Sequence, residues 1–173
     1  MKRHEVEHIL RAAGAITNER RMVVVGSQAI LGPLALPPED LTQSNELDIY
    51  PDEHPEKADL IDGSIGELSP FHNTFGYYAH GVGPETARFP RNWRARAMTV
   101  SNANTQGVEG TFPSLADLAI SKLAAGRPKD LDFVRAMLRH RVVEASEIES
   151  LLSELDEPWM TVTRSHLRVC ERP

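Results

Sequence analysis

A short apolar run near the N-terminus constrains the fold of this chain more than any other segment. The run Arg21–Val25 (RMVVV) contains three consecutive valines and no polar side chain after its arginine. This pattern is typical of a central strand that is buried on both faces of a sheet. Gly26 and Ser27 end the run, and residues 28–31 can begin a helix. The sequence therefore predicts a buried strand that leads directly into a glycine, a serine and a helix start.

Other periodic segments predict a first helix and further strands. Val6, Ile9 and Leu10 recur at helical spacing and predict an amphipathic helix over residues 5–14 that ends at Gly14. Further elements are predicted as follows: strands at Glu46–Tyr50, 75–80 and 95–100, a short helix at 55–61 and a proline-containing loop over 32–43.

The last third of the chain is predicted to be helical. Ser114 is a suitable N-cap for a helix that the sequence Gly126-Arg127-Pro128 ends. A second helix follows at once, and apolar residues between Ile148 and Leu155 predict a third. The tail from Pro158 receives no assignment.

Together these elements predict an α+β fold in one compact unit. A mixed β-sheet flanked by helices is expected over residues 1–112, and a helical C-terminal part of the same unit over residues 113–173. The chain has 173 residues, of which 40% are apolar, so it can bury a core without a disulfide or a structural zinc ion. It has a single cysteine, Cys170, and no segment approaches the ~20 apolar residues of a membrane span. We therefore expect a cytoplasmic protein without a membrane partner.

The overall charge disfavours contact with nucleic acid. Nineteen basic and 25 acidic side chains give a net charge of −6, so the field of the whole molecule repels anionic polymers. An anionic ligand needs a local positive site, and basic residues concentrate in segments 88–96 and 122–141. Solvated surface charge is the more common explanation of such segments.

Two acids on the second predicted strand are candidate metal ligands. Glu46 and Asp48 are two residues apart, so their carboxylates project from one face of the strand and can share divalent cations. Gly26 and Ser27 would complement them, because a phosphate can approach a glycine closely and a serine hydroxyl can donate to its oxygens. The alternative is an edge strand whose two acids are merely solvated.

A basic segment follows the helix predicted after Ser114. Lys122 lies beside the apolar face of that helix, so its ammonium group either extends to the rim of the face or lies over an anion in a cleft. Arg127 and Lys129 come next in a tight turn and can add positive charge. Asp130 would also be explained as a cap or dipole partner in the first turn of the next helix.

In motif order the chain resembles the nucleotidyltransferase superfamily. More specifically, it looks like a poorly characterised subfamily of minimal bacterial nucleotidyltransferases related to abortive-infection (AbiEii-like) toxins of toxin–antitoxin systems. The resemblance covers about residues 20–140. It rests on these motifs: Gly26-Ser27, Glu46-x-Asp48, Lys122-Leu123-Ala124-Ala125, and Arg127 with Lys129-Asp130.

This resemblance implies a nucleotidyltransferase-like sheet and a metal-dependent transfer of a nucleoside monophosphate from an NTP to an acceptor hydroxyl. The acceptor would be a tRNA or a protein, and a cognate antitoxin would be a further partner. An RNA would contact the arginines of segment 88–96, and Tyr77 and Tyr78 could stack on a base, although packing is the more common role of tyrosines in a strand. The implied site residues are Glu46 and Asp48 as ligands of Mg²⁺ or Mn²⁺, Glu46, Asp48, Lys122 and Asp130 as catalytic residues, and Gly26, Ser27, Lys122, Arg127 and Lys129 as nucleotide-binding residues.

The chain also departs from the pattern of this group. The first acid is Glu46 where an aspartate is usual, and a loop with three prolines lengthens the spacing between Gly-Ser and the acids. His72 and His80 can act as acid or base, although a structural hydrogen bond is the more common role. A third acid near the metals is expected, with candidates by position only in Asp62, Glu67, Glu85 and Glu109. An inactive binding protein with this fold and a small-molecule (antibiotic) adenylyltransferase therefore stay open as alternatives.

Overall fold

The structure, a computed structural model, describes residues 1–172 and contains a five-stranded mixed sheet. Its strands are β1 (Arg21–Val25), β2 (Glu46–Pro51), β3 (Tyr78–Gly81), β4 (Met98–Val100) and β5 (Glu109–Phe112), in the spatial order β3-β2-β1-β5-β4. β1 pairs antiparallel with β2 and parallel with β5, while β2 and β3 are parallel and β4 and β5 antiparallel. The predicted central position of β1 is confirmed, and its residues from Met22 to Val25 are buried.

Helices account for most of the remaining structure. They are α1 (Arg3–Thr17), α2 (Ala58–Ile65), α3 (Pro70–Phe75), α4 (Trp93–Arg96), α5 (Leu115–Ala125), α6 (Pro128–Arg139), α7 (Ala145–Leu151) and α8 (Trp159–Cys170). Short 3-10 helices lie at Ser27–Leu31, Glu39–Leu41, Pro55–Lys57, Pro84–Thr86 and Leu152–Glu154. The predicted α+β fold class is confirmed. In residues 1–172 we find no helix with both the length and the apolar character needed to cross a membrane.

The chain forms two compact units. The first unit comprises Met1–Thr86 and Met98–Phe112, and it contains the sheet and α1 to α3. Within it, α1 packs against α2 and against β1 and β2, while α2 packs against β3. Apolar residues of α1 and of the central strands, among them Ile9 and Leu47, are fully buried and form its core.

The second unit comprises Ala87–Ala97 and the chain from Pro113 onward. Its central helix is α5, which packs against α6, α7 and α8. Ser114 caps α5 as predicted, since its side chain accepts a hydrogen bond from the backbone N–H of Asp117. Proline at the first position of α6 and glycine directly after α5 agree with the predicted break between these helices.

Several element boundaries differ from the prediction. Gly14 lies inside α1, where a β-carbon would overlap the side chain of Val108, and the helix ends only at Thr17, before Asn18 in the left-handed conformation. Close packing, and not helix termination, therefore explains this glycine.

The two later strands are shorter than predicted. Ser69 caps α3 and Pro70 occupies its first turn, so Phe75 belongs to a helix and β3 begins only at Tyr78. Similarly, the segment predicted as a strand from residue 95 begins within α4, and β4 starts at Met98.

Candidate functional site

Strand pairing brings two acids, a tyrosine and a histidine onto one face of the sheet. In the parallel register of β2 and β3, Glu46 lies opposite Tyr78 and Asp48 lies opposite His80. Leu47, which lies between the two acids, is fully buried on the other face. The two carboxylates thus share one face of β2, as the sequence predicts.

The side chains of β3 contact both carboxylates. His80 Nδ1 lies 3.1 Å from Asp48 Oδ1 and 3.3 Å from Glu46 Oε1. The Tyr78 hydroxyl donates to Glu46 Oε2 at 2.9 Å, and the ring of His72 packs on Tyr78 with 4.5 Å between centroids. Glu46, Asp48 and His80 each offer a ligand atom, and these atoms lie within 4.8 Å of one another.

Gly26 provides space for the Asp48 carboxylate. Val25 pairs with Asp48 across β1 and β2, and Gly26 follows with a φ of 70°. A β-carbon on Gly26 would overlap Asp48 Oδ2, so a larger residue at this position would displace the acid. Ser27 then begins the 3-10 helix Ser27–Leu31. The structure therefore brings the predicted Gly-Ser motif beside Asp48.

The two carboxyl groups on this face of β2 have shifted pKa values. Burial and the neighbouring Glu46 carboxylate raise the pKa of Asp48 to about 6, although the hydrogen bond with His80 opposes them. Burial also disfavours ionisation of Glu46, but its hydrogen bonds with Asp48 and Tyr78 and the charge of His80 outweigh burial and lower its pKa.

The two acids also raise the pKa values of Tyr78 and His80 on β3. Burial alone would lower the pKa of His80, but its contacts with Asp48 and Glu46 dominate and raise it. Burial and the hydrogen bond to Glu46 raise the pKa of Tyr78 to about 12, so Tyr78 remains a hydrogen-bond donor at neutral pH.

The donor set on this face fits a divalent cation. Two carboxylate oxygens and an imidazole nitrogen are ordinary ligands of such ions, and a bound cation relieves the repulsion between the acids. Among residues 1–172, one other acid–histidine group has comparable spacing: Glu19, Glu53 and His54. There, however, Lys57 pairs with Glu19 and Arg21 pairs with Glu53. The group of Glu46, Asp48 and His80 is therefore the better candidate for a metal site.

In the second unit, a buried aspartate contacts two of the predicted basic residues. Asp130 is 1% exposed, and Arg127 donates to it from Nε at 2.5 Å and from a terminal nitrogen at 3.2 Å. Lys122 Nζ lies 3.3 Å from Asp130 Oδ1 and 5.5 Å from the ring centroid of Phe133. Lys129 is exposed, and we find no ion pair that joins it to Asp130 in the described part of the chain.

The two basic neighbours of Asp130 keep its carboxylate ionised. Burial opposes its ionisation, but the hydrogen bonds from Arg127 and the charge of Lys122 outweigh burial and lower its pKa. The N-cap residue of α6 is Arg127, and no side-chain cap is formed there. Asp130 therefore fixes the positions of Lys122 and Arg127, and its place in the first turn of α6 is only part of its role.

The arginines of segment 88–96 make contacts within the second unit. Arg96 donates to both oxygens of Asp117, at 2.7 and 3.1 Å, and to both oxygens of Glu154, at 3.0 and 3.1 Å. Arg88 lies over the ring of Trp159, with 4.1 Å to its centroid. These side chains stabilise the second unit, and their contact with RNA stays a prediction.

Sequence reasoning missed the position of His80. Four acids are candidates for a third acid beside the metals: Asp62, Glu67, Glu85 and Glu109. Within residues 1–172, none of them has a carboxylate oxygen within 4.8 Å of the ligand atoms of both Glu46 and Asp48. His80 lies there instead. The alternation of Tyr78, Ala79 and His80 signals that the first and third face the same side, but only the pairing of β3 with β2 shows what they face.

Comparison with known proteins identifies the family of this chain. A family model described as a nucleotidyltransferase of unknown function (DUF6036) matches residues 4–168. No curated protein and no solved structure matches the chain. The matched range extends on both sides of the segment 20–140 over which the motifs predict a resemblance. The predicted superfamily is thus confirmed, and this chain belongs to the DUF6036 family of nucleotidyltransferases.

Proposed function

We propose that the protein transfers a nucleoside monophosphate from an NTP to an acceptor hydroxyl, and that the reaction requires Mg²⁺ or Mn²⁺. The acceptor hydroxyl releases its proton to solvent as its oxygen forms a bond to the α-phosphorus. The bond from that phosphorus to the oxygen shared with the β-phosphorus breaks, and pyrophosphate leaves with the bonding electron pair. The main support is the group of Glu46, Asp48 and His80, whose ligand atoms lie within 4.8 Å of one another.

These three residues would hold the cation through two oxygens and one nitrogen. A bound divalent ion stabilises the charge on the attacking and leaving oxygens of an in-line displacement. Tyr78 donates to Glu46 Oε2 and leaves Glu46 Oε1 on the side of His80. Tyr78 thereby fixes the orientation of one metal-binding carboxylate.

Other side chains would bind the phosphates. Ser27 follows the glycine that contacts Asp48, so its hydroxyl is a suitable donor to a phosphate oxygen. Lys122 and Arg127 both pair with the buried carboxylate of Asp130, so two cationic groups lie close together, and they would bind the oxygens of a triphosphate. Lys129 would add charge from the surface of α6. Asp130 contacts Lys122 and Arg127, so we propose that it positions them.

We further propose that the acceptor hydroxyl belongs to a tRNA or a protein, and that the protein is the toxin of a toxin–antitoxin pair with a cognate antitoxin. These proposals rest on the motif resemblance to AbiEii-like toxins. Induced expression in a bacterial host tests the toxin role: we expect growth arrest by the wild type and normal growth with Asp48→Asn. Growth arrest by both proteins would contradict a toxicity that depends on catalysis.

Label transfer from α-³²P-labelled NTPs tests the proposed reaction. Each NTP is incubated with the protein and Mg²⁺ or Mn²⁺, with bulk tRNA, a protein extract or aminoglycosides as the acceptor. We expect metal-dependent labelling of tRNA or protein, and a loss of about 100-fold or more in Asp48→Asn and in Lys122→Met. Methionine keeps the length of the lysine side chain, so that variant removes the charge with little change in packing.

Asp132→Asn is a matched control, because Asp132 is an exposed acid of α6 that pairs with Arg135, and we expect full activity from it. Transfer only to an aminoglycoside would instead favour an antibiotic adenylyltransferase. Absence of transfer to every acceptor, together with absence of metal-dependent NTP binding, would favour an inactive binding protein.

A further inference from the structure

His80 occupies an unusual position relative to the two acids. It lies opposite Asp48 in the register of β2 and β3, and one nitrogen of its ring, Nδ1, contacts a carboxylate oxygen of Asp48 and one of Glu46. Its side chain is 50% exposed, so burial in the core does not account for its position. The contact of one nitrogen with two carboxylates is the feature that calls for a functional explanation.

The distances match the spacing of ligands around a metal ion. Ligands about 2.1 Å from an octahedral ion lie about 3.0 Å apart when they are neighbours in the coordination sphere. His80 Nδ1 lies 3.1 Å from Asp48 Oδ1 and 3.3 Å from Glu46 Oε1. His80 Nδ1 is thus spaced from each carboxylate as a neighbouring ligand of the same ion would be, and the three ligand atoms lie within 4.8 Å of one another.

The second acid–histidine group of the first unit has similar spacing, but its acids already pair with lysine and arginine. His54 has the same 50% side-chain exposure as His80 and also contacts a glutamate, Glu19, at 2.9 Å. Lys57 already pairs with Glu19, and Arg21 with Glu53. The charge of those acids is satisfied by fixed cations, whereas the ion-pair partner of Glu46 and Asp48 within the first unit is His80.

We propose that His80 is the third protein ligand of the metal and that its nitrogen shifts the preference of the site from Mg²⁺ towards Mn²⁺. Mg²⁺ prefers oxygen ligands, whereas imidazole favours transition ions, and Mn²⁺ accepts both carboxylate and imidazole ligands. This inference rests on the proposed function, since it presupposes that Glu46 and Asp48 bind the ion.

Pulsed electron paramagnetic resonance of Mn²⁺ bound to the whole protein tests the inference directly. Protein with natural-abundance nitrogen is compared with protein labelled with ¹⁵N-histidine, and we expect a nitrogen coupling whose frequency changes with the label. The coupling should be lost in His80→Asp and retained in His54→Gln, which removes the equally exposed histidine of the other group. Binding titrations should show the ratio of Mn²⁺ to Mg²⁺ affinity falling about tenfold in His80→Asp.

The outcomes separate this inference from the proposed function. Mn²⁺ binding that requires Asp48 but shows no histidine coupling in the wild type would overturn the role of His80 and leave the metal site intact. Mn²⁺ binding that is unchanged in Asp48→Asn would overturn the metal site itself. The wild-type spectrum is informative even if a variant fails to fold, and the thermal unfolding of each variant shows whether it folds.

Discussion

The environment of Asp48 opposes its ionisation when no cation is bound. The pKa of this carboxyl is raised from an ordinary value of 3.8 to about 6, first by burial and then by the adjacent Glu46. The folded protein therefore binds this proton more tightly than the unfolded chain does, and the contribution of Asp48 to stability falls as pH rises from about 4 to 6. A residue that costs stability in this way is typical of a site that binds a charged ligand.

Replacing Asp48 with asparagine should therefore stabilise the metal-free protein near neutral pH. The shift in pKa corresponds to about 2 to 3 kcal/mol between the protonated and the fully ionised state. We expect Asp48→Asn to be more stable than the wild type at pH 7.5, and this advantage to shrink by about 2 kcal/mol at pH 4.5. Thermal or denaturant unfolding followed by circular dichroism in EDTA measures it. An advantage that does not depend on pH would contradict the assigned electrostatics.

Gly26 should tolerate no side chain, because of its contact with Asp48. Gly26→Ala places a β-carbon against Asp48 Oδ2 at a φ of 70°, so we expect a destabilisation of about 2 kcal/mol or more and weaker Mn²⁺ binding. Gly76→Ala is the matched control, because Gly76 has a similar φ of 78° but no atom within 4 Å of its added β-carbon. Equal Mn²⁺ affinity in the two variants would show that Gly26 has no specific relation to Asp48.

The sequence alone predicts that Glu46 and Asp48 share a face, because alternation along a strand is a local property. It does not predict the contact of His80 with these acids, which depends on the pairing of strands that are about 30 residues apart in sequence. The pattern of glycines between α2 and β3 also obscures where that strand begins. The shared face of the two acids could be predicted from the sequence, and their contact with the histidine could not.

At the scale of elements, Arg96 joins α4 to α5 and to the 3-10 helix Leu152–Glu154. Asp117 is fully buried, accepts two hydrogen bonds from Arg96 and one from the Ser114 hydroxyl, and so ties the start of α5 to a segment that precedes β4 in the chain. This network explains why residues 87–97 group with the second unit. The sequence does not reveal this network, because Asp117 and Glu154, the partners of Arg96, are 21 and 58 residues away from it along the chain.

Asp117→Asn should destabilise the second unit by about 3 kcal/mol, since it leaves Arg96 with one of its two carboxylates and weakens the cap of α5. Both tryptophans, Trp93 and Trp159, belong to this unit, so denaturant unfolding followed by tryptophan fluorescence reports on it. Asp156→Asn removes an exposed ion pair with Arg91 and should have little effect. Similar unfolding midpoints for the two variants would contradict a stabilising role of the Arg96 network.

Some helix boundaries can be predicted from local sequence signals alone. The start of α5 and the break before α6 follow from a serine cap, a glycine and a proline, all of which act locally. In contrast, α8 receives no assignment from the sequence, although Pro158 directly precedes it and proline is favourable at a helix start. Proline both begins and ends helices, so the apolar pattern after it has to decide between the two, and in α8 a polar residue, Thr163, occupies one of the buried positions.

At the scale of the whole molecule, acidic charge and an anionic substrate have to be reconciled. The net charge of −6 opposes the binding of a triphosphate. The arginines of segment 88–96 that pair with Asp117, Glu154 and Asp156 have their charge balanced within the second unit. In the proposed function, a metal ion at Glu46 and Asp48 supplies positive charge in the first unit, and Lys122 and Arg127 supply it in the second.

Equilibrium binding of an α,β-methylene NTP analogue by titration calorimetry tests both contributions without any need to know the acceptor. Each of the four analogues is titrated into the intact protein with Mn²⁺ and again with EDTA. We predict binding that requires Mn²⁺, that is lost in Asp48→Asn, and that weakens about tenfold or more in Lys122→Met while Mn²⁺ affinity is retained. Binding of equal strength in EDTA, or in Asp48→Asn, would contradict a metal-dependent nucleotide site at these residues.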